Sequence, residues 1–244
     1  MSDPGVIIAK RSISLSKTYA AVGIFLGLIS VLISSIPSFL SSIPSTTGIT
    51  GGSNSTIVPG LTFPEYFRLI SVPLQVFAAL AFTTPVLLLY VYDKNNGVLE
   101  YFLSLGMDQG DIYRRYLKAS LLLAAALVAF EIAANLVAGA IEGATLSSLL
   151  ETSGLVVIIA FPVVAFVAMV MMAFSSLQKQ RMGSNQPLGI GLGVIMVFPA
   201  YLGPLVIPAY GIAIDLTIAV SVSVLTVVMF SLASRLISRE KLLP

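Results

Sequence analysis

Long apolar runs separated by short polar segments dominate the pattern of this chain. A helix needs about 20 apolar residues to cross a hydrocarbon core of about 30 Å, and the runs have about this length. They predict an all-α, polytopic membrane protein in which residues 1–244 form a single transmembrane domain. The six predicted spans are residues 19–40, 65–92, 117–139, 153–177, 187–202 and 211–236.

Three segments between or before these runs have a different character. Residues 4–17 are amphipathic, which predicts an N-terminal elbow helix in the membrane interface. Residues 203–211, "GPLVIPAYG", are too short and too rich in proline to cross, so they predict a re-entrant or surface-lying element between spans 5 and 6. Residues 41–64 are rich in Ser, Thr, Gly and Pro and predict a flexible loop, in which Asn54 begins a glycosylation sequon.

The composition supports the membrane assignment and limits the chemistry of the chain. Only 10% of the residues are charged and 57% are hydrophobic, whereas a soluble protein has about 25% charged residues. The chain has no cysteine and no histidine, which excludes disulfides, thiolate chemistry, zinc-protease motifs and Ser–His dyads. We therefore predict no catalytic, cofactor or metal site in this chain, and its charge gives no indication of nucleic-acid binding.

Basic residues are distributed very unevenly between the predicted loops. With six spans, every Lys and Arg except Arg68 falls on one side, including those of the two terminal segments. Basic residues are retained on the cytoplasmic side of a membrane. The pattern predicts a multi-pass protein of the cell membrane with both termini in the cytoplasm.

The longest predicted cytoplasmic loop, residues 92–120, is unusually rich in charge. It begins with a turn around Gly97, continues as a short amphipathic helix "VLEYFLSL", and breaks at Gly106. Asp108 is the predicted N-cap of a second short helix that ends near Tyr116, with Asp111 in its first turn and basic residues later, as the helix dipole favours.

This loop resembles the one after the second span of ABC-2 type permeases, the membrane subunits of type V ATP-binding-cassette transporters. The matching elements are an acidic residue, a turn with glycine, a Leu-Glu pair, a helix break and a short helix that leads to a basic residue at span 3. Two positions depart from the usual pattern, because Asp93 stands where many members have Glu and Gly106 where many have Pro. The residues that match the family motif are Asp93, Gly97, Leu99, Glu100 and Lys118.

The resemblance implies a coupling helix that docks on a separate nucleotide-binding ATPase subunit, with ATP and Mg bound by that partner. It also implies an exporter with a second permease subunit, identical or homologous. The chain itself lacks a G-x-x-x-x-G-K-[ST] loop, so it is not expected to be an enzyme. The expected ATPase contacts are Asp108, Gln109, Asp111, Tyr113, Arg114 and Arg115.

Glu131 is the charge that the pattern places deepest in a span, and Asn135 lies one turn further along the same face. An acid at such a depth is costly and faces protein or water. One interpretation is a substrate-pathway or coupling residue. The other is structural, either a carboxylic acid hydrogen-bonded to a neighbouring helix or an ion pair with Arg68.

Two other classes of protein fit a polytopic chain. An ion-gradient-driven secondary transporter usually has inverted repeats and several polar midplane sites, and the loop of residues 92–120 has no mirrored counterpart here. A non-transporting membrane assembly subunit is the third class. Co-purification of an ATPase separates the first class from the other two.

The predicted topology can be tested in this cysteine-free chain. Cysteines introduced at Ser53 and Gln109 should react differently with a membrane-impermeant thiol reagent in intact cells, because residue 53 lies outside and residue 109 inside. Labelling of residue 109 from outside would contradict the predicted orientation.

Overall fold

The computed structural model describes residues 3–42, 63–141, 145–173 and 211–236. These residues form seven helices and no strand. The helices are α1 (Pro4–Leu15), α2 (Lys17–Ser42), α3 (Phe63–Asn95), α4 (Val98–Ser104), α5 (Gln109–Ile141), α6 (Leu146–Ala173) and α7 (Gly211–Leu236).

Four helices are long and apolar enough to cross a membrane: the segments Ser71–Asn95 of α3, Gln109–Ala140 of α5, Leu146–Ala173 of α6 and Ala213–Ser231 of α7. The pair α1 and α2 would add a fifth span if it is counted as one bent element, with an angle of 95° between its halves. The expectation of an all-helical membrane protein is thus confirmed for the described residues. The predicted span 187–202, the element before Gly211 and the Asn54 sequon lie outside them, so the number of six spans stays a prediction.

The beginning of α5 corrects one sequence prediction. Residues 108–116 were expected to form a separate short helix, but α5 runs without interruption from Gln109 to Ile141. The physical reason is that no glycine or proline lies between Gly110 and Gly139, so nothing interrupts the backbone hydrogen bonds. The other predicted features of this loop, the short helix α4 and the breaks on either side of it, are present.

Both breaks depend on glycine. Gly97 precedes α4 with φ 72°, and Gly106 follows it with φ 82°. Residues with a side chain rarely adopt this left-handed region, so glycine is the residue that fits. Asp108 then caps α5, because its side chain accepts a hydrogen bond of 3.0 Å from the backbone N–H of Gly110.

The helices pack around α3, which contacts α1, α2, α5 and α6, and α7 packs against α6. A hydrogen bond also joins α6 and α7. The Thr226 hydroxyl of α7 donates it to the carbonyl oxygen of Pro162 in α6, at 3.0 Å. Small residues allow the closest approaches. A Cβ placed on Gly23 of α2 would lie 2.7 Å from the backbone nitrogen of Phe82 in α3, so the two helices are in backbone contact there.

Gly23→Ala should therefore destabilise the bundle by about 1–3 kcal/mol, because the added methyl group meets backbone that cannot move aside. Gly154→Ala in α6 is the matched control, since a Cβ there has no neighbour within 4 Å. It should be neutral or stabilise by up to about 1 kcal/mol. Unfolding free energies from titration with SDS measure both, and equal values for the two variants would contradict the observed packing.

Candidate functional site

A buried carboxylate joins three helices at the basic end of the bundle. Asp93, near the end of α3, is only 1% exposed and accepts two hydrogen bonds from the Arg11 guanidinium of α1, at 2.9 and 3.2 Å. Its Oδ2 also accepts a 2.5 Å bond from the hydroxyl of Tyr116 in α5. The ring of Tyr116 packs edge-to-face on Tyr90, with 5.2 Å between centroids. Asp93 therefore stabilises the interior of the bundle, where it joins α1, α3 and α5.

A second ion pair fastens the other end of α1. Lys118 of α5 donates a short hydrogen bond to the Asp3 carboxylate. The same carboxylate accepts a hydrogen bond of 2.9 Å from the backbone N–H of Gly5. These two hydrogen bonds hold the pKa of Asp3 below its ordinary value, and the bond from Lys118 has the larger effect. The carboxylate is therefore charged at neutral pH, and its contribution to stability is lost only as the pH falls through the lowered pKa.

The predicted ATPase contacts divide into three groups by exposure. Asp108, Asp111 and Arg114 are exposed, and the side chains of Asp111 and Arg114 lie 4.0 Å apart one turn along α5. Gln109 and Arg115 are half-buried. Tyr113 faces the interior and is 5% exposed, so its prediction as a surface contact is wrong. Sequence alone could not distinguish it, because the sequence pattern does not determine how this part of α5 is rotated against the bundle.

The short helix α4 extends this exposed area. Tyr101 is 60% exposed and Leu105 is 61% exposed, although both are large apolar residues. Leu99 is fully buried beneath them and Glu100 is half-buried in the first turn. We call the exposed residues of α4, of the break after it and of the first turns of α5 the α4–α5 surface; they are Tyr101, Leu105, Asp108, Asp111 and Arg114.

A second charged cluster lies at the opposite end of α3. The Arg68 guanidinium is 3.0 Å from a carboxylate oxygen of Glu151 in α6, and its Nε is 3.9 Å from Asp215 in α7. Arg68 and Asp215 are buried, while the Glu151 side chain is 46% exposed. Sequence analysis missed both partners, although the isolated Arg68 on the side without other basic residues was a signal that acids should lie near it.

The two clusters are separated by about the thickness of a membrane. Arg68 and Asp93 are 25 residues apart in one helix, which corresponds to about 37 Å at 1.5 Å per residue. A hydrocarbon core of about 30 Å fits between them. The last basic residue of α7, Arg235, lies at the end of that helix away from Asp215. Apart from Arg68, the basic residues of α1, α3, α5 and α7 therefore gather at one end.

Glu131 of α5 lies between these clusters and is fully buried. Its expected ion pair with Arg68 is wrong, because Arg68 is bound to Glu151 and Asp215 and lies roughly 15 Å further along the bundle axis. Neither carboxylate oxygen has a hydrogen-bond partner among the described residues. The nearest approach comes from α2, where a Cβ on Gly27 would lie 2.7 Å from Oε1.

Other buried polar groups lie between the levels of Glu131 and Arg68 along the bundle axis. Asn135, one turn beyond Glu131, is 1% exposed, and Gln75 and Ser71, one turn apart on α3, are fully buried. Within the described part of the chain, their side-chain polar atoms have no hydrogen-bond partners either. Sequence analysis singled out Asn135, but the burial of Gln75 and Ser71 depends on the rotation of α3, which apolar periodicity alone does not determine.

No protein-family model, curated protein or solved structure matches this chain significantly. The described residues contain no group of three acidic side chains arranged to hold a metal ion. The resemblance to ABC-2 permeases thus rests on the residues of the loop and remains a prediction.

Substitution of Arg11 should lower the free energy of unfolding more than substitution of its partner Asp93. Arg11→Met leaves a buried carboxylate with Tyr116 as its described donor, so we expect a loss of about 3 kcal/mol. Asp93→Asn leaves an arginine that is 45% exposed and can turn to water, so we expect about 1 kcal/mol.

The double variant Arg11→Met with Asp93→Asn should be more stable than Arg11→Met alone, because no charge is then left unpaired in the interior. Titration with SDS measures all three variants. An additive loss in the double variant would show that the two side chains contribute independently.

Proposed function

We propose that this chain is the membrane-spanning permease subunit of an ATP-binding-cassette exporter of the ABC-2 type. In this proposal a separate nucleotide-binding subunit hydrolyses ATP and docks on the α4–α5 surface. A second permease subunit, identical or homologous, completes the transport path. Both termini and the α4–α5 surface face the cytoplasm of the cell, in agreement with the positive-inside rule.

The exposed α4–α5 surface is the observation that carries the proposal. Two large apolar side chains, Tyr101 and Leu105, are about three-fifths exposed, and the exposed pair Asp111–Arg114 follows in the first turns of α5. Aromatic and arginine side chains are enriched in protein interfaces, and a charged rim is typical of them. An area of this composition suits a soluble partner better than it suits the hydrocarbon of a bilayer, because hydrocarbon offers no polar partner for Asp111 and Arg114.

The connection between this surface and the membrane supports a mechanical role. Asp111 and Glu131 belong to the same unbroken helix, about 30 Å apart along its axis. A displacement of the first turn of α5 is therefore transmitted into the membrane without loss at a flexible joint. A continuous α5 serves this purpose better than the separate short helix expected from the sequence.

The helix α1 fits the role of the elbow helix. It joins α2 at an angle of 95°, and ion pairs hold it to α3 through Asp93 and to α5 through Lys118. Several of its apolar side chains are exposed, among them Val6, Ile7 and Leu15. A helix in this position would lie along the cytoplasmic membrane surface and would move together with α5.

The ion-gradient-driven transporter is the competing function, and the unpartnered Glu131 is the observation that favours it. The two functions differ in their partners. A permease subunit should co-purify with an ATPase in a mild detergent, whereas a secondary transporter should not.

Reversing the charges of the exposed pair, Asp111→Arg with Arg114→Asp, tests the proposed docking surface. Insertion should be normal, because neither side chain enters the hydrocarbon. Association with the ATPase should weaken by about 2–5 kcal/mol if the charges are desolvated in the interface, and by less than about 1 kcal/mol if they lie on its rim. Pull-down of the ATPase and permease-stimulated ATP hydrolysis measure the effect.

The matched control exchanges the charges of the Asp3–Lys118 pair, as Asp3→Lys with Lys118→Asp. It alters two charges at the same end of the bundle, keeps the net charge and preserves an ion pair. It should bind the ATPase like the parent. Unchanged binding in both double variants would remove the α4–α5 surface as the docking site.

A further inference from the structure

A buried carboxylate in a membrane protein requires a source of positive charge. Transfer of an ionised group to an apolar environment is costly unless a partner or a bound ion compensates its charge. The four carboxylates of the two charged clusters, Asp3, Asp93, Glu151 and Asp215, all have a basic partner within 4 Å. Glu131 has none among the described residues and is fully buried.

The surroundings of Glu131 supply further ligand atoms rather than a counter-charge. Asn135 follows it by one turn on α5, and Gln75 and Ser71 follow each other by one turn on α3, which packs against α5. Measured from the level of the Asp93–Tyr116 bond, Glu131 lies at about 22 Å, and Asn135 and Gln75 both lie at about 27–28 Å. The side-chain amides of Asn135 and Gln75 at this depth are unpartnered in the described structure, and Ser71 lies about 6 Å further along α3.

The space beside the carboxylate is small. A methyl group on Gly27 would lie only 2.7 Å from Oε1, so the backbone of α2 closes directly over it. Oxygen ligands of this kind suit hard cations. An organic cation would need more room on the α2 side.

We propose that Glu131, together with Asn135 and Gln75 of α3, forms an intramembrane site for a single monovalent cation, a sodium ion or a proton. The cation neutralises the carboxylate inside the bundle. The site is separate from the α4–α5 surface, so the inference does not depend on the proposed ATPase partner.

Other titratable groups on the helices packed against α5 lie at the ends of the bundle. Tyr90, Asp93 and Lys94 of α3, together with Lys10 and Arg11 of α1, are at the basic end. Arg68 and Glu151 are at the other end and are paired with each other. On α2, Lys17 and Tyr19 lie in the first turn, and Glu100 of α4 lies outside the spans. A cation effect that depends on Glu131 is therefore separable from theirs by substitution.

The experiment compares thermal stability of the purified full-length protein, Glu131→Gln, and Glu100→Gln as a matched control on the short helix α4. The melting temperature is measured in sodium chloride and in choline chloride at equal ionic strength, and in choline chloride from pH 9 to pH 6. A ligand bound only by the folded state raises the melting temperature, by about 5 °C or more when it is present at a hundredfold excess over its Kd.

If the cation is sodium, the parent and Glu100→Gln should be stabilised by sodium over choline, and Glu131→Gln should not. If it is a proton, sodium should have no effect. Lowering the pH should then raise the melting temperatures of the parent and of Glu100→Gln by about 5 °C more than that of Glu131→Gln. Parallel responses of the parent and Glu131→Gln to both sodium and pH would overturn the proposal.

Should Glu131→Gln fail to assemble, Gly27→Ala provides the second variant. Its methyl group crowds the carboxylate, so the cation concentration for half-maximal stabilisation should rise at least about tenfold relative to the parent. Gly154→Ala, which adds a methyl group in open space, should respond like the parent. An unchanged midpoint in Gly27→Ala would then overturn the site.

Discussion

Compensation of charge at the two ends of α3 is the interaction on which the rest of the structure depends. At one end Asp93 holds α1 and α5, and at the other Arg68 holds α6 and α7. Between them lies a length of helix comparable to the hydrocarbon core, in which an unpaired charge is costly. Because each neighbouring helix must bring its polar side chain to one of these ends, the position of every described helix along the bundle axis is set relative to α3, apart from α2 and α4.

The features that follow from local physics could be predicted from the sequence. Apolar length predicted the spanning helices, and the glycines at positions 97 and 106 predicted the breaks around α4, because both signals act within a few residues. Features that depend on tertiary register could not be predicted. The partners of Arg68, the inward direction of Tyr113 and the continuity of α5 each require knowledge of how two helices are rotated and aligned, and apolar runs leave that rotation undetermined in a membrane.

Helix α5 connects the two proposed sites. Its first turns contribute to the exposed α4–α5 surface, its middle carries Glu131, and no residue between them interrupts the helix. An event at the surface and the occupancy of the intramembrane site would act on the same rigid element. The proposed ATPase and the proposed cation would therefore influence each other's binding if the position of α5 affects both, as linkage requires.

The pair between Asp3 and Lys118 also constrains how the protein is made. The two residues are 115 positions apart in the chain. At a synthesis rate of about 5–20 residues per second, Lys118 is added roughly 6–23 seconds after Asp3. During this interval α1 lacks its anchor on α5, although its anchor on α3, Asp93, is synthesised 25 residues before Lys118. The final position of α1 is therefore reached only after α5 has been synthesised, although α1 precedes α2, α3 and α4 in the chain.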